Sequence, residues 1–236
     1  MPVFKGVIHY AVRCSIWMAI VLVPLQAAAS PAGSAAREVA RRYALPPEGS
    51  IYVRVANAQA APLSVQVGEG RGEQVSAAGK LATDYYVQPG GQPFRVRVNG
   101  KPLQVATPAP ASGFVTLLVG AGAGAGVRVV QDQQATGSSG LKAELALYNL
   151  VPGCNARLEL SSGDVVLASV AEASRGTRAI NPVQATLLAK CGARASAPLQ
   201  LPALKAGDRY SLFVTGTANA PVLKGQAART EPYRAR

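Results

Sequence analysis

The chain has 236 residues, enough for one large domain or two small ones, and its composition, 49% hydrophobic and 15% charged, is that of a chain that folds. The formal charge is +12, and His9 is the single histidine. Beyond residue 9, this excludes Ser-His-Asp and Cys-His nucleophilic systems and metal sites that use imidazole.

Residues 1–29 are typical of a secretory signal peptide. Lys5 and Arg13 give a positive start, residues 14–25 are apolar, and residues 27–29 are three alanines suited to cleavage. The apolar run of about 12 residues is shorter than the roughly 20 that a membrane-spanning helix needs. We therefore expect export to the periplasm with cleavage of this segment. The alternative is an N-terminal anchor that is not cleaved.

The next segment, residues 30–47, is rich in alanine, serine and proline and predicts a flexible leader. From residue 48 to 133 the pattern predicts an N-terminal β-sandwich. Residues 51–56 and 63–67 alternate between apolar and polar types, as in strands with one buried and one wet face. Asn99-Gly100 between two such runs predicts a tight hairpin, and the continuous apolar run 114–119 predicts a central strand.

The Gly- and Ser-rich residues 134–140 predict a linker to a second β unit, residues 141–224, and a loose basic tail, residues 225–236. The second unit repeats the order and spacing of the strand-like segments of the first. Residues 53–57 (VRVAN) align with 145–149 (LALYN), and residues 114–120 align with 210–216. The fold class we predict is all-β, with two tandem β-sandwich-like domains after a cleaved signal peptide.

Two cysteines, Cys154 and Cys191, follow the expected signal peptide. An even count in an exported protein predicts a disulfide, with two free thiols as the alternative. Two sulfurs without histidine do not complete a tetrahedral metal site, so we expect no metal and no cofactor.

The sequence offers few candidates for chemistry. Its acidic residues are scattered, and the Gly-Ala run 120–126 lacks the Gly-Lys-Ser/Thr ending of a phosphate-binding loop and precedes a strand. An exported protein is not expected to meet nucleic acid. The excess of arginine therefore favours either an anionic polysaccharide or acidic protein partner, or a solvated basic surface.

The segment Ser174–Val183, SRGTRAINPV, contains the candidate site residues Arg175, Arg178 and Asn181. Arginine side chains in this turn-rich context have two interpretations. They bind carboxylates of a partner, or they form ion pairs within the fold. The first interpretation makes Arg175, Arg178 and Asn181 partner-binding residues.

This segment resembles the alginate O-acetylation protein AlgF family, as do residues 47–57 (PEGSIYVRVAN) and 211–216 (SLFVTG), in the same order. The resemblance implies a periplasmic, two-domain β protein required for O-acetylation of an exopolysaccharide, either alginate or cellulose. It further implies, as partners, a membrane O-acyltransferase and a periplasmic SGNH-type O-acetyltransferase. The resemblance also implies the role of an adaptor with no acetyltransferase activity of its own, in agreement with the absence of histidine beyond residue 9.

Two other functions compete with the adaptor. An anionic-polysaccharide-binding module would need exposed aromatic side chains to stack on sugars, and the chain is poor in them after residue 29. A fimbrial or chaperone-like sandwich would need an exposed edge strand for pairing, for which the sequence has no donor-strand signature.

Overall fold

The computed structural model describes residues 46–121, 126–133 and 141–231, and within them it contains strands and no helix. This confirms the prediction of an all-β fold. The predicted signal peptide, almost all of the leader and the linker lie outside the described residues. The strands are β1 (Ser50–Asn57), β2 (Leu63–Val67), β3 (Glu73–Val75), β4 (Tyr86–Pro89), β5 (Val96–Val98), β6 (Lys101–Pro102), β7 (Gly113–Val119), β8 (Val127–Gln131), β9 (Ala143–Asn149), β10 (Ala156–Leu160), β11 (Val165–Val170), β12 (Ser174–Ile180), β13 (Thr186–Cys191), β14 (Arg194–Ala195), β15 (Leu199–Gln200), β16 (Arg209–Thr217) and β17 (Ala220–Ala227).

The strands form two sandwiches of the same topology. In the N-terminal sandwich one sheet has the order β4-β1-β7-β8 and the other β3-β2-β5-β6. In the C-terminal sandwich the orders are β12-β9-β16-β17 and β11-β10-β13-β14, with β15 also on β13. In each sandwich the first strand pairs parallel with one neighbour and antiparallel with the other. The order of the repeat is thus the same in both halves.

The register corrects one part of the predicted alignment. Asn57 lies opposite Val119 in the first sandwich, and its equivalent Asn149 lies opposite Val214 in the second. Strands β7 and β16 therefore correspond one position away from the alignment expected from their sequences. Thr116 is equivalent to Ser211, which proves important at the interface between the domains.

The local predictions for the first sandwich agree with the structure. Asn99 and Gly100 have φ angles of 51° and 78° and form the two-residue turn between β5 and β6. Strand β7 lies between β1 and β8, as expected for a continuous apolar run. Strands β7 and β8 pair antiparallel, and residues 122–125 of the Gly-Ala run between them lie outside the described residues.

The face of β1 that the sequence pattern predicts to be solvent-exposed is instead buried. Tyr52, Arg54 and Ala56 are each at most 1% exposed. The opposite face, with Val53 and Val55, lies in the core of its own sandwich. This face packs against the second domain: Arg54 donates to Ser211 of β16, and Ala56 belongs to a buried cluster that includes Tyr148. The equivalent strand β9 is likewise buried on both of its faces. The molecule therefore has a core in each sandwich and a third core between them.

Cys154 and Cys191 form the predicted disulfide, with their Cα atoms 5.5 Å apart. Cys154 lies in the loop between β9 and β10, two residues before β10, and Cys191 ends β13, the neighbour of β10 in the same sheet. The bond therefore ties this loop to the adjacent end of β13. Both residues are buried in the core of the C-terminal sandwich.

In the segment expected as a loose tail, residues 225–231 are ordered, and residues 232–236 lie outside the described residues. Strand β17 continues to Ala227, and Thr230 forms a parallel bridge with Tyr85 of the first domain. Backbone groups of Tyr85 bond to Arg229 and Glu231 at 2.8 Å each. None of the described residues forms a helix long and apolar enough for a membrane span.

Candidate functional site

The two sandwiches meet through the outer faces of β1, β7, β9 and β16. The apolar part of this interface is a cluster of buried side chains drawn from both domains. Its members are Ala56, Leu81, Ala82, Leu118, Ala121, Ala146, Tyr148, Leu150, Ala173 and Phe213. Beside the cluster lies a group of buried charged and hydroxyl side chains, which we call the interdomain polar network: Arg54, Tyr85, Thr116, Asp132, Glu144, Tyr148, Arg175 and Ser211.

Arg54 is at the centre of this network and is 1% exposed. Its Nε donates to Thr116 Oγ1 and its Nη1 to Ser211 Oγ, both at 2.9 Å. The two hydroxyls are equivalent positions of the repeat, so one guanidinium binds both halves of the molecule. Its carbon Cζ lies 4.5 Å from the ring centre of Tyr85 and 4.9 Å from that of Tyr148, within cation–π range.

Asp132 is the acceptor at the other end of the network. Its carboxylate accepts the hydroxyl of Tyr148 at 2.6 Å and those of Tyr85 and Thr116 at 2.7 and 2.5 Å. Tyr148 belongs to the second domain and the other two to the first. Asp132 follows the last strand of the first domain, so the chain passes through the network immediately before it enters the second.

Arg175 completes the charge balance. Its Nη2 donates to Glu144 Oε1 at 2.9 Å, and its Nε lies 3.5 Å from Asp132 Oδ1. The network therefore contains two cations and two anions. Such pairing is needed because an unpaired buried charge is strongly destabilising.

The two tyrosines are held in their neutral form. Burial raises the pKa of Tyr85 well above its ordinary value, and Arg54 offsets only part of that rise. Burial raises the pKa of Tyr148 in the same way, again against the lowering effect of Arg54. Burial alone would lower the pKa of Arg54, but Tyr148, Tyr85 and Asp132 raise it, so the guanidinium stays charged. Both phenols therefore act as hydrogen-bond donors to Asp132.

The space inside the network limits what it can bind. A cavity of about 20 Å³ lies among Tyr85, Asp132, Glu144, Tyr148 and Arg175, enough for one water molecule. Within residues 46–121, 126–133 and 141–231 no cluster of three or more His, Cys, Asp or Glu side chains could hold a metal ion. The network thus joins two domains and leaves no room for a substrate.

The two edges of this interface differ. At one edge β17 lies against the segment before β4. The amide of Gln226 accepts from the backbone N–H groups of Leu81 and Ala82 at 3.0 and 3.1 Å and donates to the carbonyl of Ala82, and Lys224 Nζ donates to the carbonyl of Ala77. At the other edge β8 and β12 border a groove of about 390 Å³. One edge is closed by hydrogen bonds and the other is open.

The three predicted partner-binding residues are not brought together. Arg175 lies in the interdomain network and forms an ion pair with Glu144, which is the second of the two interpretations of this segment. The assignment of the segment to partner binding stays a prediction. Arg178 is exposed, and Asn181 is exposed in the loop that follows β12. The separation has a simple cause: residues three apart on a strand point to opposite faces, and the segment expected to be a turn is a strand from Ser174 to Ile180.

Arg178 lies at a pocket of about 200 Å³ on the open side of the C-terminal sandwich. The pocket reaches the core residues Leu145, Leu187 and Leu201, while Val165 and Val183 at its rim are exposed. Among the described residues, Arg178 has no hydrogen-bond or ion-pair partner.

Arg54 could not be recognised directly as an interface residue, since an arginine between valines on a strand usually faces water. Its neighbours carried the signal. Tyr52 and Ala56 share its face of β1, and Tyr148 shares the equivalent face of β9. Large and small apolar residues on the supposed wet face of two central strands indicate a second buried surface.

A family model described as "Alginate O-acetyl transferase AlgF" matches residues 23–211. The chain is 35% identical over 188 residues to the alginate biosynthesis protein AlgF of Azotobacter vinelandii, covering 78% of this chain and 81% of that protein. It is 31% identical over 177 residues to the protein of the same name from Pseudomonas putida, covering 74% and 77%.

A solved structure of the C-terminal domain of AlgF from P. aeruginosa also matches, with 28% identity and a TM-score of 0.31, over 38% of this chain and 98% of that domain. The family model spans more than half of the chain, and the two relatives exceed 30% identity over most of their own lengths. These matches agree with the resemblance carried by residues 47–57, 174–183 and 211–216, and the chain belongs to the AlgF family.

Proposed function

We propose that this protein is a non-catalytic accessory protein for the O-acetylation of an exopolysaccharide. It acts in the periplasm as an adaptor between a membrane O-acyltransferase and a periplasmic SGNH-type O-acetyltransferase. The polymer is alginate, or cellulose in a related system. The names of the relatives from A. vinelandii and P. putida support the pathway, and residues 1–29 support export.

One observation carries the non-catalytic part of the proposal. The side chains that could take part in acid–base or nucleophilic chemistry at the domain interface are buried and engaged with one another. Ser211 accepts from Arg54, Tyr148 donates to Asp132, and the adjoining cavity has room for one water molecule. A nucleophile must reach its substrate, and these groups do not.

The family model's description includes the word transferase, so activity must be tested directly. Purified protein is incubated with p-nitrophenyl acetate as donor, with and without oligomannuronate as acceptor, and p-nitrophenol release and acetylated product are followed. We expect no more release than in buffer. Release above buffer that disappears in Ser211→Ala, or transfer to the sugar, would refute the non-catalytic assignment.

The adaptor role is tested by deletion of the gene in its host. We expect the polymer to be made in near-normal amount but without acetyl esters, measured by NMR of the purified polysaccharide. Re-expression of the full chain restores the esters. A polymer with normal acetyl content in the deletion strain would contradict the proposal.

The polysaccharide-binding alternative has weaker support. Every tyrosine and phenylalanine in the part of the chain that the structure describes is buried or partly buried, so none offers an open ring face for stacking on a sugar. Calorimetric titration of the protein with oligomannuronate distinguishes the two functions. Micromolar, salt-sensitive binding without any protein partner would favour a binding module.

A further inference from the structure

The Arg178 pocket is an opening in the C-terminal sandwich between the edge strands β11 and β12. Its lining is apolar except for Arg178 itself. Six of the residues that form it are Leu145, Leu160, Ile180, Ala185, Leu187 and Leu201. Its volume, about 200 Å³, exceeds the roughly 150 Å³ of an aliphatic cavity that accepts benzene, so one aromatic ring fits.

The other half of the repeat shows what occupies this position. Arg178 lies opposite Leu145 on β9, and Tyr86 lies opposite the equivalent residue, Val53, on β1. Tyr86 and Arg178 are thus the same position in the two sandwiches. In the first sandwich the ring of Tyr86 packs on the core and its hydroxyl donates to Glu73 at 2.8 Å.

The first sandwich is therefore covered at this edge by its own aromatic ring, with a carboxylate beside it. Gly70 makes room for that ring, since a Cβ atom there would lie 2.5 Å from Tyr86 Cε1. The second sandwich has an arginine in place of the tyrosine. The ring is missing, the apolar pocket is open, and a cation stands at its mouth.

We propose that the Arg178 pocket is a docking site for a protein segment that inserts an aromatic or other large apolar side chain and places a carboxylate on Arg178. This deepens the proposed adaptor function and rests on it for its biological role. The carboxylate is favoured because Arg178, among the described residues, has no ion-pair partner of its own, and a guanidinium binds carboxylates in a bidentate manner. The exposed Val165 and Val183 extend the apolar contact around the mouth, at 44% and 48% exposure.

The isoleucine methyl signals of the protein report directly on binding at the pocket. Beyond residue 29 there are two: Ile180, which lines the pocket, and Ile51, which is in the core of the first sandwich. In protein labelled at the isoleucine δ1 methyls, the capped peptide acetyl-Glu-Phe-Glu-amide should shift the Ile180 signal saturably and leave that of Ile51 unchanged. Acetyl-Glu-Gly-Glu-amide and acetyl-Lys-Phe-Lys-amide are the controls for the ring and for the charge.

The inference is overturned if the Glu-Phe-Glu peptide leaves Ile180 unshifted, or if all three peptides shift it alike. It is also overturned if Ile180 shifts with protein concentration alone, because the occupant is then a second copy of the chain.

Three variants distinguish peptide binding at the pocket from general attraction between charges. Arg178→Glu should weaken binding of the Glu-Phe-Glu peptide by about tenfold or more. Arg178→Tyr reproduces the first sandwich, so it should abolish the peptide shift and raise the melting temperature by roughly 2–4 °C. Arg97→Glu changes another exposed arginine, on β5, and should leave binding unchanged. Equal weakening by Arg97→Glu and Arg178→Glu would overturn the inference.

The same variants in the host distinguish this inference from the proposed function. If deletion of the gene removes acetyl esters, Arg178→Glu should lower them by several-fold and Arg97→Glu should not. Full acetylation with Arg178→Glu, beside a deletion strain without esters, overturns the docking site and leaves the adaptor function standing. Normal acetylation in the deletion strain overturns the function, and the peptide titration then decides the pocket by itself.

Discussion

Asn57 and Asn149 occupy the same position in the two sandwiches and make the same set of hydrogen bonds. Asn149 Nδ2 donates to the carbonyls of Cys154 and Val170 at 2.7 and 2.9 Å, and its Oδ1 accepts the backbone N–H of Val151 at 3.1 Å. The side chain thereby joins the end of β9 to the turn that follows and to the end of β11 in the other sheet. Each sandwich is held by one such amide.

Replacement of these asparagines should be costly. Asn149→Ala is expected to lower the free energy of unfolding by about 3 kcal/mol, because it leaves two buried carbonyls and one buried N–H unpaired. Asn57→Ala removes the equivalent bonds to Ala61 and Val75, but one of these is only partly buried, so a smaller loss is expected. Urea unfolding measures both. Asn181→Ala, at an exposed position, serves as control and should change stability by less than about 0.5 kcal/mol.

Arg54→Ala should uncouple the unfolding of the two domains. The change removes one of the two buried cations, so the network is left with two anions and only Arg175 to balance them. It also leaves the hydroxyls of Thr116 and Ser211 without their donor, and we expect a loss of about 3–5 kcal/mol. Since each sandwich retains its own core, calorimetry should then resolve two unfolding transitions. Arg97→Ala, at an exposed site, is the matched control. A single transition with an unchanged midpoint in Arg54→Ala would contradict the role given to the network.

The buried tyrosines predict a loss of stability at alkaline pH. Burial raises the pKa of Tyr85 and of Tyr148 in the folded protein, so the folded state holds phenol protons that the unfolded state releases above about pH 10. Their contribution to stability is complete below that pH and falls as the pH rises, by about 1.4 kcal/mol per pH unit for each tyrosine. Urea unfolding at pH 8.5, 10 and 11 measures the slope.

Lysines also titrate in this pH range, so Tyr148→Phe is needed to isolate the contribution of the tyrosines to the loss of stability. The variant removes one of the two phenols and should therefore have a shallower loss above pH 10 than the unaltered protein. Parallel pH curves for the two proteins would show that Tyr148 does not keep its proton in the folded state.

The Cys154–Cys191 disulfide should stabilise the C-terminal sandwich. The two residues are 37 positions apart, and closing a loop of that length contributes about 3–4 kcal/mol by the chain-entropy model. Unfolding with and without dithiothreitol measures this contribution. In the Cys154→Ala, Cys191→Ala double variant the reductant should have no effect. An equal effect of reductant on the variant would assign the loss to another cause.

The elements that depend on local pattern were predictable from the sequence. The alternation in residues 63–67 is seen in β2, where Leu63, Val65 and Val67 are buried and the residues between them exposed. The Asn99-Gly100 turn needs positive φ at both positions, which few other pairs adopt easily. Such features follow from the chemistry of neighbouring residues and need no knowledge of the rest of the fold.

The interface between the domains was not predictable in the same way. The burial of Arg54 depends on Ser211 and Tyr148, which lie far away in sequence and approach only when the two sandwiches pack face to face. Periodicity identifies the faces of a strand but not what covers them. The separation of Arg175 and Arg178 was missed for a related reason. Once residues 174–180 form a strand, their odd spacing places the two side chains on opposite faces of the sheet.

The edge of the interface closed by β17 has a consequence for synthesis of the chain. The backbone groups of Leu81, Ala82 and Tyr85 that bond across this edge find their partners in Gln226, Arg229 and Glu231. A ribosome releases those partners only after the whole first sandwich and most of the second have emerged. Until then these backbone groups of the first sandwich lack their hydrogen-bond partners. A nascent chain that stops before Ala220 never forms these bonds.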